Sequence, residues 1–406
     1  MSTKRAPKAQ LGINTKFASI VTWETIEAER EAGASRERIS LLYHALKWRR
    51  LGDIQKIFPL HDNLKRGFRT AKCYKVQISP IIEIHYSDKT KRARYGRGLM
   101  VCGARWICPV CGARITELER AELERVDFDG LGLGVCLATN TLAHHMSDTC
   151  EKVLGLGKEA WRKVKSGRAY QDFVKQFGIV GSITNTDFTY SFKNGFHAHQ
   201  HTLLIYKKES SLIDVNAVKE ILFKLYISAL EKMGGYASFK NGLDVIAGDN
   251  ASMVAQYVAK FGREPKEKTW TVQAELTKGA SGKGASHGHY TMLQMIDLWC
   301  MGNKQAGAKF VEYAKATKGR QQLIYSSGLR KKLGLGSIKR DMEKARRDDP
   351  MTRIFAMLTT EDWKQIVKLD TRGEVLRAGF GGDFARFRDA LARMGVVIRD
   401  LDIEQE

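Results

Sequence analysis

The sequence predicts an α+β protein with an antiparallel, ferredoxin-like sheet flanked by helices. Three observations lead there. Between residues 131 and 262 the elements read strand, helix, strand, strand, helix, strand, helix. Asn194-Gly195 stands between two strand-like runs, which is a strong hairpin signal. The chain has 406 residues, enough for two or three domains with a real core.

In chain order, residues 1 to about 15 are polar and predict no element. Trp23 to Leu51 reads as two helices broken near Gly33-Ala34-Ser35, with Ser35 as N-cap of the second. Residues 70–115 hold short strand-like runs (CYKVQISPIIEIHY) and four of the seven cysteines, and TELERAELERV then reads as a helix. LGVCLATNTL is a buried-type strand and 150–177 a helix. GIVGSITNTDFTYS and FHAHQHTLLIY form the hairpin, VNAVKEILFKLYISALEKM a helix, GLDVIAG a strand and ASMVAQYVAKF a helix. Residues 263–289 are rich in Lys, Gly and Ser and predict a basic loop. The expected domains are an N-terminal helical region (1–69), a cysteine module (70–125), the α+β core (130–262), the basic loop (263–289) and a mostly helical C-terminal region (290–406).

Sixty-seven Lys and Arg against 45 Asp and Glu give a net charge of +22. That balance calls for a polyanionic partner, nucleic acid first, because Lys and Arg gain affinity by releasing counterions from phosphates. No run of 18 apolar residues exists and MSTKRAPKAQ lacks the apolar stretch of a secretory signal, so a cytoplasmic protein without membrane partner is expected. The odd cysteine count fits a reducing compartment, with thiols as metal ligands or small buried hydrophobes.

Cys108-Pro-Val-Cys111-Gly has the spacing of a zinc knuckle, the glycine letting backbone amides turn toward the sulfurs. Cys102, followed by Gly103, adds a third thiolate. Cys73 is the expected fourth, with His85 as its competitor. Cys136, Cys150 and Cys300 are isolated and read as core or surface thiols.

Phe196-His197-Ala198-His199-Gln200-His201 puts three imidazoles on one strand face, roughly 6.5–7 Å from one to the next. A single histidine there would be ordinary packing. Three would repel when protonated and lack donors when buried, and a divalent metal resolves both problems. Asp187 on the neighbouring strand could harden the site toward Mg²⁺ or Mn²⁺, although a solvated acid explains it equally when taken alone. Tyr257 and Lys260 share a face of the predicted last helix of the core. A Tyr hydroxyl is a poor nucleophile at its free pKa near 10 unless a cation or a metal assists. Basic charge, a metal on a central strand and a Tyr-Lys helix together fit metal-assisted attack on a DNA phosphate.

These segments resemble a family. NGFHAHQHTLL is similar to the central motif of rolling-circle plasmid replication initiators, the Rep proteins of the HUH endonuclease superfamily, usually NGWHPHxHxLL. Phe196 and Ala198 stand where that motif has Trp and Pro. TDFTY, LATNTLAHH, QYVAKF, CGARWICPVCGARITELERAEL and YAKATKGRQQLIYSSGLRKKLGL resemble further segments in the same order, over about residues 70–335. The resemblance implies an HUH nickase core at 130–262, His199 and His201 as the metal pair, and Tyr257 as the nucleophile. It also implies a nick in the single-stranded plasmid origin that leaves a 5′ phosphotyrosine and a 3′-OH primer. Single- and double-stranded origin DNA and host helicase and polymerase are the implied partners. Relatives often place Glu four residues before the tyrosine; that position is Met253 here, with Asp249 and Glu264 as the nearest acids. Alternatives are an HUH-type transposase, whose second tyrosine would fall at Phe261, and a non-catalytic zinc-containing DNA-binding protein.

Overall fold

The computed structural model describes residues 21–61, 67–208, 213–247, 288–337, 341–346, 352–396 and 398. Among these the strands, in chain order, are β1 (Ile82–Ser87), β2 (Arg92–Tyr95), β3 (Leu133–Asn140), β4 (Ile179–Ser191), β5 (Gly195–Lys207), β6 (Leu243–Ala247), β7 (His289–Thr291), β8 (Leu323–Tyr325) and β9 (Thr352–Leu358). All pairings are antiparallel, and the architecture is α+β. The chain divides into two compact units: Met1–Lys56, Phe68–Val101 and Arg347–Glu406 form one, and Ile57–Gly67 with Cys102–Arg346 the other.

The first unit holds the helices Trp23–Glu31 and Arg36–Ile57, a sheet of order β2-β1-β9, and three C-terminal helices, Thr360–Leu369, Arg372–Ala378 and Phe384–Ala392. The break expected near Gly33 is real: Gly33 has φ 77° and the Ser35 hydroxyl accepts from the Arg38 amide at 3.2 Å. The core is aromatic. Tyr95 meets Trp48 and Trp363 edge-on at 5.6 and 5.2 Å, and its hydroxyl donates to the Arg372 carbonyl. β9 was not expected from the sequence. A strand so rich in apolar residues joins β1 because one face of β1 (Ile82, Ile84, Tyr86) is fully buried and needs an equally apolar neighbour.

The second unit is built on a six-stranded sheet of order β6-β3-β5-β4-β7, with β8 also paired to β4. The hairpin forms where Asn194-Gly195 predicted it. Gly195 takes φ 84°, and a Cβ there would lie 3.0 Å from the His145 carbonyl, so the turn needs glycine twice over. The helix expected over 150–177 divides into Cys150–Ser166 and Arg168–Gln176 at Gly167. The region from 290 is not only helical: besides the helices Met292–Cys300 and Lys304–Thr317 it supplies β7 and β8 to this sheet.

Strand alternation gives the sheet two unlike faces. Cys136, Ala138, Leu204 and Tyr206 pack against Trp161, Leu222 and Tyr226 from the Cys150–Ser166 and Val215–Glu231 helices. On the opposite face Val135, Leu137, Ile183, Leu203 and Ile205 pack with Leu123, Phe128, Leu329 and Leu333. Continuing along β5 on that second face, the apolar series Ile205, Leu203 gives way to His201, His199 and His197. One side of the strand therefore changes from core to polar site within two residues.

Candidate active site

The hairpin register sets the site. Asp187 is opposite His199, Asn185 opposite His201 and Thr189 opposite His197. All lie on the sheet face described last. His201 and Asp187 are 7% and 6% exposed, and His201 Nε2 is 3.4 Å from Asp187 Oδ2. The His199 and His201 rings are nearly parallel, 11° apart, with centroids 5.9 Å apart.

Both buried polar groups are held from behind. The Thr139 hydroxyl on β3 is 3.0 Å from His201 Nδ1, and Asn185 Nδ2 donates to Asp187 Oδ1 at 3.0 Å. A partner on Nδ1 turns Nε2 toward the carboxylate, the arrangement by which outer groups orient metal-ligating histidines. Two ligands that share an ion at about 2.1 Å sit roughly 3.0–3.4 Å apart. The His201–Asp187 spacing and the imidazole–carboxylate donor set thus fit a divalent cation.

His197 behaves differently from its two neighbours. Its Nδ1 is 2.6 Å from His144 Nε2, and His144 Nδ1 lies 2.9 Å from the Asn194 carbonyl. Since a carbonyl only accepts, His144 donates there with Nδ1 and accepts from His197 with Nε2, which fixes both tautomers. Burial, followed by the nearby His144 and His289, pushes the His197 pKa down to about 4. His144 is lowered too, chiefly by burial. Strand spacing gave no warning of His144 or His289. The only signal was the pair His144-His145 in LATNTLAHH, which becomes informative once β3 is seen beside β5.

Tyr257 and Lys260, with Met253, Asp249, Phe261 and Glu264, lie outside the described residues.

The cysteine cluster lies elsewhere in the chain. Within the second unit the sulfurs of Cys102, Cys108 and Cys111 lie within 4.8 Å of one another and the three residues are buried; Cys73 is buried in the first unit. Cys102 Sγ and Cys111 Sγ are 3.6 Å apart. A tetrahedral ion with Zn–S near 2.3 Å sets its sulfurs about 3.8 Å apart. This spacing fits zinc. The Cys108 sulfur accepts from the Cys111 amide and the Cys102 sulfur from the Ala104 amide, both at 3.4 Å. Backbone amides do turn toward the sulfurs, and Gly112 also permits a close approach, since a Cβ on it would sit 2.6 Å from the Arg105 carbonyl. His85 lies in β1 against Glu83 at 2.8 Å and Thr352 at 3.3 Å. Of the remaining cysteines, Cys136 and Cys150 are buried, and burial raises both thiol pKa values, while Cys300 is exposed.

Arg105, between Cys102 and Cys108, ties this segment to the sheet. It donates to Gln322 Oε1 at 3.0 Å, and Gln322 Nε2 donates to the Thr186 carbonyl at 3.1 Å, one residue before Asp187. Arg105 also pairs with buried Glu119, which accepts from Lys344 at 2.6 Å.

The chain is similar to Protein rep of Streptomyces lividans. The two are 23% identical over 353 residues, 70% of this chain and 76% of that one. No family model matches the chain, and no solved structure matches it. The similarity agrees with the Rep resemblance of the histidine and cysteine segments. Among the described residues no helix is long and apolar enough to cross a membrane.

Proposed function

We propose that this protein initiates plasmid rolling-circle replication as an HUH-type endonuclease, nicking single-stranded origin DNA in a reaction that depends on a divalent metal. The observation that carries the reading is the buried imidazole–carboxylate pair, His201 Nε2 and Asp187 Oδ2 at 3.4 Å, with His199 in register beside it. Similarity to Protein rep and a net charge of +22 support a DNA partner. The two-faced antiparallel sheet, with its histidine strand at the centre, supports a ferredoxin-like HUH core.

His199, His201 and Asp187 would hold Mg²⁺ or Mn²⁺, and the bound ion would polarise a phosphoryl oxygen. Thr139 and Asn185 keep the ligand atoms aimed at one point. The Tyr257 hydroxyl attacks the phosphorus, an O–P bond to tyrosine forms, and the P–O3′ bond breaks. The leaving O3′ takes up a proton and becomes the primer, while Lys260 holds the phosphate or the developing tyrosinate. Cys73, Cys102, Cys108 and Cys111 hold a structural zinc. The protein would act in the cytoplasm with host helicase and polymerase.

Cleavage of a single-stranded oligonucleotide library, sequenced at its new ends, tests the reading. Specific ends that require Mg²⁺ or Mn²⁺ and vanish in His199→Ala and His201→Ala support it. Normal cleavage by the double variant contradicts it.

A further inference from the structure

We propose that the turn joining β1 and β2 is a docking element for double-stranded DNA, gripping phosphates through Lys89 and Lys91. From Ile82 to Arg97 the chain carries Lys89, Lys91, Arg92, Arg94 and Arg97 against only Glu83 and Asp88. Neither acid neutralises the tip: Glu83 is engaged by His85 at 2.8 Å and Asp88 lies 3.6 Å from Arg353. Lys89 and Lys91 are exposed, and neither has an ion-pair partner among the described residues.

The tip is fixed, which a merely solvated turn would not require. The Thr90 amide donates to the Ser87 hydroxyl at 3.3 Å, and the Gly381 amide donates to the Lys91 carbonyl at 3.1 Å. Lys91 itself holds φ 55°, a conformation that non-glycine residues rarely keep without such support. Two lysines displayed on a backbone anchored at both ends can meet phosphates with little loss of conformational freedom.

The chemistry selects duplex DNA over a single strand. Grooves for single strands display aromatic rings on which bases stack. Here both tyrosines of the hairpin are turned inward, Tyr86 at 1% and Tyr95 at 2% exposed, and no large apolar side chain is exposed between Asp88 and Arg97. A narrow basic turn without stacking groups suits phosphate contacts, which position a protein on a duplex irrespective of sequence. The inference rests on the proposed replication role only in taking DNA as the polyanion.

The test uses the full chain with its zinc and without added Mg²⁺ or Mn²⁺, so that cleavage plays no part, and a mixed-sequence 30-base-pair duplex followed by fluorescence anisotropy. The variant is Lys89→Ala with Lys91→Asn, asparagine being tolerant of positive φ. The expected result is a Kd for duplex raised roughly 3- to 10-fold near 0.1 M salt, with the slope of log Kd against log salt shallower by about 2. Affinity for a single strand of the same length should change less. Lys364→Ala with Lys368→Ala removes equal charge from the Thr360–Leu369 helix and should leave duplex affinity and slope unchanged. An unchanged slope in the hairpin variant, an equal loss in the control, or an equal loss on single strands would each overturn the proposal. If the wild type binds duplex as described but never cleaves, the nickase reading fails and the docking element stands.

Discussion

At the residue scale, the three histidines divide into unequal roles. His199 and His201 share the face with Asp187, and His201 takes its orientation from Thr139. Replacing either by Ala should lower metal-dependent nicking roughly 10²-fold or more, measured with Mn²⁺ under single-turnover conditions, because each removes a preorganised group at the phosphate. His197→Ala should be milder, since its Nδ1 is already committed to His144. The sequence placed all three histidines on one face correctly, because period-2 alternation has no exceptions within a regular strand. It could not distinguish them, because the partners that separate them, Thr139 and His144, lie some 50 to 60 residues away in sequence.

At the element scale, the β4–β5 hairpin supports both register and site. Gly195→Ala should cost about 1–2 kcal/mol, from positive φ and contact with the His145 carbonyl, read by chemical denaturation. The hairpin also carries a pH dependence. His197 titrates near 4 when folded, against an unfolded value near 6.5. Below pH 6.5 the unfolded chain therefore binds the extra proton first. Stability contributed by neutral His197 is complete above pH 6.5 and is lost as pH falls toward 4. Urea unfolding without added Mg²⁺ or Mn²⁺ at pH 7, 5.5 and 4.5 should show this decline, and His197→Gln should flatten it. Asn194-Gly195 and the alternation made the hairpin legible in advance. β7, β8 and β9 were not legible, because three to seven residues of strand form only beside a partner far away in sequence and carry no periodic signal of their own.

At the scale of the whole molecule, the cysteine cluster and the histidine site differ in their access to solvent. An ion enclosed by cysteine thiolates alone would be a folding element. Cys108→Ser or Cys111→Ser should release zinc and lower Tm by roughly 3–6 °C, a loss of a few kcal/mol in a chain of this size. The wild type should carry about one zinc per chain by elemental analysis, and a folded, zinc-free, active preparation would exclude a structural ion. The histidine site is half-buried at His197 and His199, which leaves it open to a ligand from solution. The central claim is that this site serves a tyrosine that becomes covalently bound to DNA. The direct measurement incubates the protein with a 3′-end-labelled single strand that it cleaves, in Mn²⁺, and resolves the products on a denaturing gel with peptide mapping. The account predicts a covalent 5′ adduct on Tyr257, lost in Tyr257→Phe and in EDTA. An adduct on another tyrosine, or cleavage with no adduct at all, would contradict it.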